Sequence, residues 1–143
     1  MDSHKKIYGM PNLGCMIGTA YQRLVSQLSE VLKESGIPIT PPEYLVLRAL
    51  YEKDGMQQCE IGDMIGKDKS AICRSVAGLV RKGIVTTEAV SHKCIRVWLT
   101  DAGKNYKGDI MSIAEHQHDT LVGVCTPEEF RIFSNVLRKI ISQ

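Results

Sequence analysis

The chain has 143 residues, 43% of them hydrophobic and 24% charged, the profile of one ordinary globular domain; disorder and collagen-like repeats are excluded, and roughly 70% of the unfolded surface can be buried without metal or disulfide staples. Five cysteines at 15, 59, 73, 94 and 125 form an odd set with no Cys-x-x-Cys pair, which fits neither a secreted disulfide framework nor a zinc ribbon and points to the reducing cytoplasm. The net charge is only +2, and no apolar run is long enough to span a bilayer, so no membrane partner is expected.

At the N-terminus, His4, Lys5 and Lys6 precede an uncharged stretch to Gln22. Gly9, Pro11, Asn12, Gly14 and Gly18 make that stretch a poor secretory core, and Asn12 stands where a lipoprotein processing site ahead of Cys15 requires an apolar residue, so export is not expected. Leu13, Ile17, Ala20, Leu24, Leu28 and Val31 recur at intervals of three and four, predicting a first helix that ends near Ser35-Gly36 with glycine as a left-handed cap. Thr40-Pro41-Pro42-Glu43 opens a second helix through a capping box with proline in the first turn. It carries Leu45, Leu47, Leu50 and Tyr51 and ends before the Asp54-Gly55 turn.

A short third helix is predicted over 58–65 with Ile61, Met64 and Ile65 as its apolar side, stopped by Gly66. A fourth runs from about Lys69 to Lys82, capped near Asp68, with Ile72, Val76, Leu79 and Val80 facing inward. Two short helices around a tight joint, the second basic outside and apolar inside, match a helix-turn-helix. Periodicity then changes to that of a strand pair, Ile84 to Val90 and Ile95 to Leu99, with its tip at Val90-Ser91-His92-Lys93. Thr100-Asp101-Ala102-Gly103 begins a long helix bearing Tyr106, Ile110, Ile113 and Leu121 on one side. Thr126-Pro127-Glu128-Glu129 repeats the capping box before a last stripe of Phe130, Phe133, Leu137 and Ile140.

Charge follows this order. From Lys67 to Arg96 stand seven cations (Lys67, Lys69, Arg74, Arg81, Lys82, Lys93 and Arg96) against Asp68 and Glu88, a local net charge of +5 that leaves −3 for the rest of the chain. A basic middle in a nearly neutral protein indicates a localised anion-binding surface whose expected partner is a polyanion.

Four stretches, 40–47 (TPPEYLVL), 60–66 (EIGDMIG), 68–74 (DKSAICR) and 79–85 (LVRKGIV), followed by Leu99-Thr100-Asp101-Ala102-Gly103, resemble in order and spacing the multiple-antibiotic-resistance regulator (MarR) family of bacterial winged-helix transcription factors. The resemblance runs from Thr40 to Tyr106, and the flanking helices fit by length and position. It implies a mainly α fold with a small β-hairpin wing, in one MarR-like domain. The winged helix-turn-helix region would occupy 40–103, flanked by dimerisation helices over 10–36 and 104–143. It also implies a homodimer, which long apolar stripes at both chain ends favour independently; packing within one subunit is the alternative. Two features depart from the family pattern: Ser91 and Lys93 stand where the wing usually carries aspartate and arginine, and Lys67 replaces an apolar residue. Lysine lacks the planar fork suited to a narrow minor groove, so minor-groove reading by this wing is in doubt.

The function so implied is sequence-specific binding of double-stranded DNA by a homodimer on a pseudo-palindromic site, with half-sites about one helical turn apart. Ser70, Ala71, Cys73 and Arg74 occupy outward positions of the recognition helix. Arg74 either grips guanine through two hydrogen bonds or clamps a phosphate. Ser70 caps or meets phosphate, Ala71 suits a thymine methyl, and Lys69, Lys93 and Arg96 suit phosphates, with His92 beside them at the wing tip. Gln57 and Gln58 add backbone contacts from the start of the preceding helix. A winged-helix module that binds another protein rather than DNA is the alternative.

The resemblance further implies a small phenolic or aromatic effector, or oxidation of a cysteine. Cys15 is the redox candidate, with Tyr21 and Tyr44 as possible supports, although it is offset by about one position from the peroxide-sensing pattern and Pro41 replaces an expected tyrosine. A buried cysteine more commonly acts as a small apolar residue. Cys73 and Cys94 have basic neighbours but the same plain alternative. Glu115, His116, His118 and Asp119 cluster in the penultimate helix, yet histidines two apart face different sides of a helix, so no metal is expected. No nucleophile–base arrangement or phosphate-cradling loop appears, and His92 with Cys94 lacks a third group; neither catalysis nor a cofactor is expected.

Overall fold

Polar side chains open several of the helices and left-handed glycines follow or close several of them. The computed structural model describes residues 6–7 and 10–143; His4 and Lys5 lie outside the described residues. A two-stranded ladder, β1 (Lys6–Ile7) with β2 (Met10–Pro11), precedes helix α1 (Leu13–Glu34). The helix therefore starts after the residue-10 boundary expected from sequence, at the point where Asn12 Oδ1 accepts from the Cys15 N–H at 3.1 Å. Gly36 beyond its end has φ 69°.

Helix α2 (Pro41–Glu52) carries the expected capping box: Thr40 N–H donates to Glu43 Oε1 at 2.9 Å and Glu43 N–H to Thr40 Oγ1 at 3.3 Å. After β3 (Met56–Gln57) come α3 (Gln58–Ile65) and α4 (Lys69–Arg81). Gly66 ends α3 with φ 69°, and Asp68 Oδ1 caps α4 by accepting from the Ala71 N–H at 2.8 Å. Strands β4 (Val85–Ser91) and β5 (Cys94–Leu99) follow, then α5 (Asp101–Asn105), α6 (Lys107–Val122) and α7 (Pro127–Ile141). Thr126 and Glu129 form the second capping box.

The chain forms two compact units, one through Gly103 and one from Lys104 onward. In the first, α2 contributes Val46, Leu47 and Leu50 to a core completed by Leu32, Ile61, Ile72, Val76, Leu79, Ile84 and Val97, all nearly free of solvent. Burial at 72, 76 and 79 follows the i, i+4, i+7 line of a helix packed on one side. Gly103 is buried where a Cβ would strike the Ile84 carbonyl, so only glycine fits, and its own carbonyl accepts from Tyr51 Oη at 2.7 Å.

The strand pair expected after α4 is a three-stranded antiparallel sheet of order β3-β5-β4, with Met56 opposite Val97 and Gln57 opposite Arg96. The hairpin tip falls where expected, at His92-Lys93, with a register shift between Ala89 and Ser91. Val80 and Met64, expected inside, are 42% and 49% exposed. Each side chain is rotated about 100° from its predecessor on the helix, and Leu79 already holds the inward position in α4. The expected long helix after the wing is divided at Tyr106, which keeps helical dihedrals; Gly103 and Gly108 on either side weaken helix propensity there. In the second unit Ile110 and Ile113 are buried, whereas Leu121, Phe133 and Ile140 of the apolar stripes are exposed.

Candidate nucleic-acid interface

Helix α4 buries Ile72, Ser75, Val76 and Leu79, which turns Ser70, Arg74, Ala77 and Arg81 outward along one ridge, all exposed. The two flanks of this ridge differ. Toward the wing, a groove of about 430 Å³ collects Gln57 and Gln58 from the start of α3, Lys69 and Cys73 from α4, and His92 and Lys93 from the wing tip. Six residues from three separate stretches of the chain thereby share one concave surface, which also takes in Cys59, Asp63, Lys67, Asp68 and Ile95. Away from the wing, a smaller recess of about 250 Å³ is lined by Ala71 and Arg74 together with Thr40, Pro42, Glu43, Ser75, Gly78 and Arg81.

Hydrogen bonding orders the wing-side groove. Gln58 Oε1 accepts from the Cys73 thiol at 3.4 Å, and Gln57 Oε1 from the Cys59 thiol at 3.5 Å. Both carboxamides keep their N–H₂ donors for a ligand. Lys67, unexpected at its position, donates to Tyr21 Oη of α1 at 3.1 Å and lies 5.3 Å from the centre of that ring, so the turn of the helix-turn-helix is fastened to the first helix.

Arg96 stands apart from the other expected contacts. It is half-buried in β5, and its Nη1 donates to the Gly55 carbonyl at 2.9 Å. Part of its guanidinium is committed to holding the turn before β3. Arg81 is the residue that sequence reasoning passed over: it stands seven positions after Arg74, and two helical turns return it to the same face. Heptad spacing of arginines in α4 was the available signal.

Lys82, at the C-cap of α4, lies 2.6 Å from Glu43 Oε1, and Glu43 is only 5% exposed. A Cβ at Gly78 would overlap the Glu43 carboxylate, so glycine there permits the close approach of α2 and α4. Helix α4 is thus tied to α2 through a shielded ion pair at the end opposite its N-cap.

The remaining candidates lie elsewhere. Cys15 is exposed in the first turn of α1, and its thiol sulfur accepts from Asn12 Nδ2 at 2.9 Å. The Tyr21 hydroxyl is occupied by Lys67, and the Tyr44 hydroxyl is buried without a hydrogen-bond partner among the described residues. Cys94 is half-buried. His118 packs edge-on against Phe130 with ring centres 5.6 Å apart, and among the described residues no three His, Cys, Asp or Glu side chains converge as a metal site. No described helix is long and apolar enough to cross a membrane.

Comparison with known proteins agrees with this geometry. A model of the MarR family matches residues 37–93, the segment from the approach to α2 to the wing tip. The transcriptional regulator HosA of Escherichia coli O127:H6 is 26% identical over 106 residues, spanning 73% of this chain and 78% of that protein. A MarR transcriptional regulator from Methanosarcina mazei Go1 superposes with a TM-score of 0.73 at 25% identity, over 90% of this chain and 92% of the other. The MepR–DNA complex of S. aureus shares the fold, with a TM-score of 0.80 at 19% identity over 96% and 98% of the two chains. The helix-turn-helix, the wing and the flanking helices are all present in order, and the chain is similar in sequence and fold to the MarR family of winged-helix transcriptional regulators.

Proposed function

We propose that the protein is a sequence-specific double-stranded DNA-binding regulator that acts as a homodimer on a pseudo-palindromic operator. The single observation that carries this reading is the groove between α3, α4 and the wing tip, where Gln57, Gln58, Lys69, Cys73, His92 and Lys93 converge. Amide donors can discriminate base edges, while ammonium groups beside them hold the backbone. Ser70 and Ala71, one on the ridge and one just off it, meet the major groove from the N-terminal turn of α4. The MepR–DNA complex supports the reading through its shared fold.

Dimerisation is supported by apolar surface that one subunit leaves open. Ile132, Phe133, Val136, Ile140 and Ile141 are all exposed on α7, as are Leu13, Ile17 and Tyr21 on α1. Such helix faces are the kind that a second copy covers. Control by a small phenolic or aromatic effector, or by oxidation of a cysteine such as Cys15, is the regulatory part of the proposal and rests on the family resemblance. Residence in the cytoplasm follows from action on DNA and from five free thiols.

Selection of duplexes from a random pool, followed by footprinting, tests recognition and two-fold symmetry together. The expected result is a protected inverted repeat with half-sites about one helical turn apart. Absence of preference for any duplex at low salt, with salt-insensitive capture of a protein partner instead, would favour the interaction module. Light scattering of the purified protein should give twice the chain mass, and a thermal-shift screen of aromatic acids tests the effector.

A further inference from the structure

Resting on the DNA-binding reading above, we propose that Arg74 and Arg81 together form a phosphodiester-binding site on the flank of α4 remote from the wing. In this arrangement Arg74 fixes the position of the duplex instead of reading a base, and Arg81 is a second backbone contact.

Both arginines are exposed and both line the 250 Å³ recess between α4 and the start of α2. Their seven-residue separation places them about 10 Å apart along the helix axis, on one face. Among the described residues neither guanidinium has an ion-pair or hydrogen-bond partner, in contrast to Lys82 and Arg96 nearby. Glu43 is the one acid lining the recess. Its Oε1 is already engaged by Lys82 Nζ at 2.6 Å and by the Thr40 N–H at 2.9 Å. Local charge therefore remains positive. Gly78 lies between the two arginines on this flank; Arg81 Nη2 is 3.7 Å from where its Cβ would stand, so the missing side chain leaves room for the guanidinium to lie against the helix.

The two flanks of α4 offer different chemistry. The wing side presents carboxamides with free donors beside lysines, the mixture that base discrimination needs. The far side presents two planar forks, each suited to parallel N–H···O bonds with a phosphate. Arg81 also sits at the C-terminal end of α4, whereas base contacts of a recognition helix come from its N-terminal residues. A backbone strand passing between α4 and α2 would meet both forks without either reaching the groove floor.

The test is fluorescence anisotropy of the full-length protein with its selected duplex and with a random duplex, across a salt series. Arg74→Ala and Arg81→Ala are each expected to weaken both duplexes by about tenfold and equally, and to reduce the steepness of the log K against log salt plot by about 2 for a dimer. Arg81→Lys should keep the slope while weakening both duplexes, because it keeps the charge and loses the fork. Collapse of the ratio between selected and random duplex in Arg74→Ala would make that residue a base reader and overturn the inference. So would an unchanged slope in Arg81→Ala. If the unmodified protein binds neither duplex at low salt, the DNA-binding reading itself fails and the inference falls with it; melting curves matching the unmodified protein separate these outcomes from misfolding.

Discussion

Raising salt from about 50 to about 200 mM around a duplex complex of this protein is expected to weaken it by about four orders of magnitude. The size follows from which cations of the basic stretch are free. Lys82 is paired with Glu43 at 2.6 Å, Arg96 donates to the Gly55 carbonyl at 2.9 Å, and Lys67 donates to Tyr21 Oη at 3.1 Å. Lys69, Arg74, Arg81 and Lys93 remain, all exposed and without a protein partner among the described residues. Two subunits would bring two sets of four, and about −0.9 per neutralised phosphate gives a slope near −7. Isothermal titrations at a series of salt concentrations measure it directly. Lys69→Ala and Lys93→Ala should each flatten the line by about 2, while Lys82→Met should leave it unchanged. A slope near −13 would mean that the committed cations leave their protein partners for DNA. One shallower than about −3 would mean that this face of the protein does not meet the duplex, and would refute the reasoning.

Four further outcomes follow from packing and protonation. Glu43→Ala strips the acceptor from the Thr40 N–H and the anion from Lys82, and should cost about 2 to 4 kcal/mol in urea unfolding; a loss below about 0.5 kcal/mol, the range of ordinary surface changes, would show the pair to be dispensable. Burial pushes the Tyr44 phenol above its ordinary 10.0, against a smaller opposing effect of Arg48, so its stabilising contribution is present below pH 10.0 and fades as pH rises through the folded value. Tyr44→Phe should remove that alkaline loss and leave neutral-pH stability equal or about 1 kcal/mol higher, because the hydroxyl has no hydrogen-bond partner among the described residues; a clear loss would reveal a bond to Arg48. Glu129 is held below its ordinary 4.5 chiefly by the Thr126 backbone N–H and then by the Thr126 side chain. Its contribution to α7 is therefore present above pH 4.5 and lost as pH falls through the folded value, and an NMR titration placing the carboxyl at or above 4.5 would contradict this. Gly55→Ala should cost about 2 kcal/mol or more and shift Trp98 emission, since Gly55 has φ 74° and a Cβ there would enter the indole ring.

Features governed by neighbouring residues were legible in the sequence. Both Thr-Pro-x-Glu boxes cap helices as expected, α3 occupies residues 58–65, and Gly36, Gly66 and Gly83 all adopt positive φ. Each depends on chemistry within a few positions. Strand β3 was not legible, because two residues carry no periodicity; it exists only because β5 offers an open edge, pairing Met56 with Val97 across the domain. The same limit applies to charge. Seven cations were visible in the basic stretch, but their division into free and committed groups depends on contacts such as Arg96 with Gly55 and Lys67 with Tyr21, more than forty residues apart. Arg81 was overlooked for a related reason: attention to the N-terminal turns of α4 hides a residue that belongs to the same ridge two turns later.

These ties also hold α4 and the base of the wing more firmly than the wing tip. The C-terminal end of α4 is held by Lys82 to Glu43, and the base of the wing is held by Thr100 Oγ1 on the Gly83 and Ile84 carbonyls and by Asp54 Oδ1 accepting from the Leu99 N–H at 2.9 Å. Arg96 adds a bond from mid-strand to Gly55. Beyond Arg96 the hairpin has no comparable polar tie among the described residues, and its register shifts between Ala89 and Ser91. A rigid base with an untied tip suits a wing that follows the DNA backbone and does not set the reading register. Lysine at position 93 fits that duty, since an ammonium accepts phosphate from many directions whereas a guanidinium demands alignment. On the proposed reading, positional accuracy would reside in α4, where a shift of the helix must disturb its shielded ion pair with α2, and the wing would supply charge.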